Sequence, residues 1–246
     1  MDKPTGYNDL EKSMNPSQEP IIGTLNEHTL HLALKHYCEP NAVYHEIPCM
    51  GFVADILRGG EIVEIETRSF ANVKRKLDAF LEEHTVTVVY PIAVRKWVIW
   101  IDPATGALSE KHRSPKKGRS LDVVYELYKL LPYLTHPRFR LKLILCEVEE
   151  YKRRDGWSHD GKRGATREER IPIGFLGEQT FACPADYERL ADVIPDGEFT
   201  AAAFAKANKL KGRYPWYALK ILTAVGIVEQ CGQRGRAFLY RRCERS

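Results

Sequence analysis

The pair Gly59-Gly60, set between the runs Met50–Arg58 and Glu61–Thr67, constrains this chain more than any other feature. Both flanks are rich in β-formers, and a Gly-Gly link between two such runs is a strong signal for a two-residue β-hairpin. With Gly59 and Gly60 as the central turn residues, Arg58 opposes Glu61 and Asp55 opposes Glu64. Opposed residues share a face, with Cβ atoms about 4.5–5.5 Å apart. Glu66, two residues beyond Glu64, falls on that face as well, while Ala54, Ile56, Val63 and Ile65 fall on the other. The hairpin should therefore carry one apolar face and one face with three carboxylates.

Like charges opposed on a sheet repel, so something must offset them. Carboxylates converging from adjacent strands are good oxygen ligands for Mg²⁺ or Mn²⁺, which favour a few carboxylates completed by water and phosphate. Solvation, or pairing with Arg68 and Lys74, is the alternative. A helix running from an Asn26 cap through Leu30, Ala33, Leu34 and Tyr37 to Pro40 precedes the hairpin. On it Glu27 lies three residues before Leu30 and seven before Leu34, on the side that packs toward the body. It is either a fourth carboxylate aimed at the cluster or an acid compensating the helix N-terminus. Glu46, near the start of the sheet, is a weaker fifth candidate.

Further elements follow in order. A short extended piece over Tyr44–Ile47 comes before the hairpin. A helix capped by Ser69 carries Phe70, Val73, Leu77, Phe80 and Leu81 at helical spacing, and two strands follow at Thr85–Tyr90 and Trp97–Ile101. Lys111–Arg119 reads as a basic loop, Leu121–Leu131 as a helix, Leu141–Val148 as a strand and Tyr151–Arg170 as a charged loop. The order helix, three-stranded meander, helix, strand, with Asp55 on the second strand and Glu64-Ile65-Glu66 on the third, resembles the core of the PD-(D/E)XK nuclease superfamily. The resemblance covers roughly residues 23–101. It implies that Asp55 and Glu64 hold a divalent metal, with Glu27 similar to the helix-borne acid of several branches. Glu66 stands where that family usually has a water-activating Lys, and Arg68 or Lys74 would then stabilise the transition state. The whole chain, with N-E-H-T-L-H, E-I-E-T-R-S-F, W-I-D-P-A-T-G, S-P-K-K-G and D-G-W-S, also resembles a family of uncharacterised bacterial proteins.

Charge is unevenly distributed over the 246 residues. From Lys206 onward ten Lys and Arg face two acids, a net charge of +8, which leaves −4 for the remainder. Such asymmetry points to an anionic partner such as nucleic acid. Thr200 can cap a helix through Phe204 and Ala207, and Pro215 suits the first turn of another bearing Ala218, Ile221, Leu222 and Val225. Two short strands then bracket a turn at Gly232–Gly235. Together with a helical stretch from Pro184, this resembles a winged helix-turn-helix. In that arrangement Arg213, Trp216, Tyr217 and Lys220 lie away from the core stripe, and Arg234 and Arg236 sit at the wing.

The expected fold is therefore α/β with a mixed sheet: a leader over residues 1–22, a restriction-endonuclease-like core with its extension over 23–183, and a basic winged-helix-like module over 184–246. Composition, at 43% hydrophobic and 28% charged residues, is that of a globular protein. No apolar run approaches the ~20 residues needed to span a bilayer, and the start lacks a signal-peptide layout. Six scattered cysteines without a C-x-x-C pair argue against a disulfide framework or a zinc site, and the histidines His28, His31 and His36 form no H-E-x-x-H motif. A cytoplasmic, Mg²⁺- or Mn²⁺-dependent DNA endonuclease without membrane contact is expected, compatible with a homodimer. A non-catalytic DNA-binding protein or transcriptional regulator with a degenerate core is the alternative.

Overall fold

The computed structural model describes residues 28–153 and 165–244. Helix α1 (His28–Cys38) is followed by β1 (His45–Cys49), β2 (Phe52–Arg58), β3 (Glu61–Ile65), α2 (Lys74–Phe80) and β4 (Thr85–Ile101). Then come β5 (His112–Arg113), a helical segment over 120–133 that contains α3 (Val124–Leu127), β6 (Phe139–Arg153) and β7 (Thr166–Phe181). The chain closes with β8 (Phe199–Thr200), α4 (Ala201–Ala207), α5 (Tyr214–Ala224), β9 (Val228–Arg234) and β10 (Ala237–Arg242). The leader expected over 1–22, Glu27 and part of the second charged loop lie outside the described residues. Among the described residues no helix is long and apolar enough to cross a membrane.

The chain is a mixed α/β protein. Its main sheet runs β1-β2-β3-β4-β6-β7, with β5 paired to β4, and a second sheet runs β8-β10-β9. The β2–β3 hairpin has the expected register, with Arg58 opposite Glu61 and Ile56 opposite Val63. Both turn glycines have positive φ, at 58° and 83°, the backbone that a type I′ turn demands and glycine adopts without a Cβ clash. β3 pairs with β4 in parallel, as does β4 with β6.

The two faces of the sheet are covered by different elements. Leu30 and Leu34 of α1 bury Ile56, Ile65, Val89, Ile144 and Val148. On the other face Phe70, Leu77, Phe80, Leu127 and Leu130 pack over Ile62, Val86, Val88 and Leu141, and the same buried cluster continues into Phe204, Leu219 and Leu222. Ala54 joins this second cluster and not the first, unlike the strict alternation expected of β2. The ladder is interrupted there: Glu46, across from Asp55, has φ 54°, and the pairing of β2 with β1 skips from Ile56 to Ala54.

Several sequence expectations are corrected. The two strands expected at Thr85–Tyr90 and Trp97–Ile101 are one 17-residue strand. Pro91 does not break it, for a local reason: Val89 accepts from Glu66 N–H across to β3, and Pro91 points the same way beyond the end of β3, where no ladder bond is lost. β6 and β7 likewise run into the expected charged loop, pairing Arg153 with Thr166. The segment after Ser69 becomes α-helical only at Lys74, and 120–133 alternates between 3₁₀ and α geometry. The turn expected at Gly232–Gly235 falls at Gly235-Arg236, because Gln233 and Arg234 still pair with β10.

Candidate functional site

β3 ends where its neighbours continue, and that termination opens a cleft of about 300 Å³ lined by His31, Asp55, Glu64, Glu66, Arg68 and Lys76, among others. Below it the β2–β3 ladder is closed at Ile56–Val63. At the next step side chains take over: Asp55 N–H donates to Glu64 Oε1 at 3.3 Å, and Ile65 N–H donates to Asp55 Oδ2 at 2.8 Å. The two carboxylates thus belong to the hydrogen-bond system that ends the hairpin.

Each face of the sheet sends cationic or polar groups to this point. From α1, His31 Nε2 lies 3.3 Å from Asp55 Oδ2, and Lys35 Nζ lies 4.0 Å from Asp55 Oδ1. Lys35 is itself buried and ion-paired with Glu46. From α2, Lys76 Nζ donates to Glu64 Oε2 at 2.7 Å. Burial works against ionisation of Asp55, but the His31 ring and the Ile65 N–H hold its carboxyl below the usual range. Burial, followed by the Asp55 charge, pushes Glu64 up to about 7 despite Lys76. Burial, then Glu64 and Asp55, pushes Glu66 up to about 7.

The structure thus brings Asp55, Glu64, Glu66 and Arg68 to one cleft. It does not bring Lys74 there. Lys74 opens α2 on the exposed outer side, and Lys76 stands in the cleft instead. Glu46 turns to Lys35 and does not line the cleft. Sequence reasoning missed Lys76, although the signal was present. Val73, Lys76, Leu77 and Phe80 fall at i, i+3, i+4 and i+7, so this lysine interrupts the buried stripe of its own helix.

Near the C-terminus, Arg213 and Lys220 of the expected nucleic-acid set are exposed on or beside α5, and Arg234 and Arg236 are exposed around the hairpin tip. Tyr217 departs from expectation: it is half-buried, with its ring 5.1 Å from both Tyr125 and Tyr128. Trp216 sits 5.0 Å from Tyr128 and stays 45% exposed. α5 is docked through these rings because Tyr125 and Tyr128 rise from the helical segment that caps the main sheet.

Three carboxylates gather in this partly buried cleft, two of them pushed toward the neutral form; once ionised, such oxygens are the donor type that Mg²⁺ or Mn²⁺ takes. Among the described residues no group of three or more His, Cys, Asp or Glu side chains could hold a metal by itself. A cation here would take oxygens from Asp55 and Glu64 and complete its shell from water or a phosphate. The fold and the cleft define a mixed α/β protein with a carboxylate–lysine cluster at the open end of a parallel strand pair.

Residues 28–182 match the Domain of unknown function (DUF8091), and the chain belongs to that family. An uncharacterized protein of Treponema pallidum (strain Nichols) is 28% identical over 236 residues, covering 90% of this chain and 87% of that protein. No solved structure matches the chain.

Proposed function

We propose that the protein is a divalent-metal-dependent endonuclease that hydrolyses phosphodiester bonds in DNA, built on a PD-(D/E)XK-like core with a winged-helix-like C-terminal module. The observation that carries this reading is the gathering of Asp55, Glu64, Glu66 and Lys76 in one cleft at the end of β3. The order α1, β1, β2, β3, α2, β4, with β3 and β4 parallel, supports it.

Asp55 and Glu64 would hold Mg²⁺ or Mn²⁺. When bound, such an ion polarises a phosphoryl oxygen and lowers the pKa of water. The chain's own residues do the rest. Glu66, with a carboxyl poised near 7, accepts the proton of the attacking water. The Lys76 ammonium, already in the cleft, supplies the positive charge that Glu66 cannot, and it faces the charge that develops on phosphorus oxygens. Arg68 lines the cleft and binds a neighbouring phosphate. The Lys220 and Arg213 side of α5, with Arg234 and Arg236 at the hairpin tip, holds backbone phosphates farther away.

Supercoiled, linear and branched DNA incubated with Mg²⁺ or Mn²⁺ tests the proposal. Metal-dependent cutting should disappear in Asp55→Asn and Glu64→Gln; cutting that survives both substitutions rejects this site. A second reading is supported by Glu64 being already engaged by Lys76: the cleft is catalytically degenerate and the protein binds DNA as a regulator. That reading predicts salt-sensitive gel shifts without cleavage under any metal.

A further inference from the structure

Lys129 links the acidic cleft to a shelf of aromatic rings interleaved with cations. Ser69, on the cleft wall, accepts a hydrogen bond from Lys129 Nζ at 2.9 Å. Lys129, which also pairs with Glu126 at 2.7 Å, lies over the Tyr125 ring at 5.4 Å. Tyr125 meets Tyr217 edge-on at 5.1 Å, Tyr217 and Tyr128 both meet Trp216 at 5.0 Å, and they meet each other at 5.1 Å. Lys220 Nζ lies 5.9 Å above Trp216. Tyr125 is 50% exposed and Trp216 45% exposed.

Large rings left half in water beside a packed core call for an explanation, and their surroundings select among occupants. Between Glu198 and Glu229 the sequence has no acid and five Lys or Arg, so the α5 side of the shelf is positive, while on the Tyr125 side Glu126 is paired with Lys129. An apolar protein partner has no use for that charge. A double helix cannot offer its stacked bases to a ring. An unpaired strand provides both a π-face for Tyr125 and Trp216 and phosphates for Lys220 and Arg213.

We infer that the Tyr125–Trp216 shelf binds the bases of an unpaired nucleic-acid strand and leads that strand toward the cleft. This rests on the nuclease reading only for the direction of the strand; binding itself stands apart from catalysis. The docked position of Tyr217 and Trp216 also argues that α5 does not insert broadside into a major groove.

Fluorescence anisotropy of the full chain in EDTA, where no cutting occurs, separates the two proposals. A labelled oligothymidylate should bind more tightly than a blunt duplex of equal length. Tyr125→Ala with Trp216→Ala should weaken single-strand binding by roughly tenfold or more, since each stacked base contributes on the order of 1–3 kcal/mol. Duplex affinity should change less than about twofold on the same stacking argument, and Trp216→Phe should retain most single-strand binding. Circular dichroism and a melting curve check that the double variant is folded; if it is not, Lys220→Gln, read as a shallower salt dependence for the oligothymidylate, serves in its place. The proposal is overturned if the wild type prefers duplex, if single-strand and duplex affinity fall together, or if folded variants bind as the wild type does. Absence of cleavage with this binding pattern intact would reject the nuclease alone.

Discussion

Glu64, one residue before the end of β3, has its carboxylate buried between Asp55 and Lys76, and burial followed by Asp55 raises it from 4.5 to about 7. An acid whose folded value lies above its unfolded one binds protons more tightly when folded. Its contribution to stability is therefore complete below about 4.5 and is lost as pH rises through about 7. We predict that stability in urea falls between pH 5 and 8, with Glu64 accounting for roughly 3 kcal/mol at most, and that Glu64→Gln makes the profile shallower while Glu66 keeps its share of it. A flat wild-type profile would contradict this assignment. Millimolar Mg²⁺ should recover stability most strongly at pH 8, through binding to the ionised cluster, and Asp55→Asn should abolish that gain in a thermal-shift measurement. The neighbouring lysines separate in the same way. Lys76→Met should lower the proposed cutting rate by roughly a hundredfold or more, whereas Lys74→Met, on the outer side of α2, should leave it nearly unchanged.

Among the elements, the long β4 depends on one close contact. Gly118 N–H donates to the Ala93 carbonyl at 3.0 Å, beside the irregularity between Ala93 and Arg95 where β4 shifts register against β6. A Cβ on residue 118 would stand 2.5 Å from that same oxygen. Gly118→Ala must therefore displace backbone, and we expect it to cost about 1–3 kcal/mol, seen as a lower urea midpoint at constant slope. The hairpin was legible in advance because Gly59-Gly60 and the flanking alternation determine register locally. The union of two predicted strands through Pro91 was not, since it depends on where a different strand, β3, stops. The same holds at the site. Asp55, Glu64 and Glu66 follow from two-residue periodicity, but Lys76 reaches them only once α2 is laid across the sheet. Likewise the stripe of α5 was readable from its own sequence, while the docking of Tyr217 on Tyr125 and Tyr128 required knowledge of the segment it meets.

At the scale of the whole molecule, one buried cluster joins the main sheet to α4 and α5. Removing residues 184–246 would uncover Leu127, Leu130 and Phe181, so the shortened chain should aggregate or melt well below the intact protein. The intact chain should unfold in a single cooperative step, with near- and far-ultraviolet circular dichroism changing together; two resolved transitions would show that the C-terminal module is an independent unit. The parallel pairing of β4 with β6 carries a further consequence, for the nascent chain. Val86 meets Phe139 about fifty residues later in the sequence, so during synthesis β4 emerges from the ribosome long before its longest ladder can form. Until then it is a hydrophobic strand with an open edge, and contacts so distant in sequence close slowly. The polar turn at Asp102–Gly106 and the basic stretch Lys111–Arg119 emerge in that interval, ahead of β6, and place charge beside the waiting strand that discourages it from pairing with another chain.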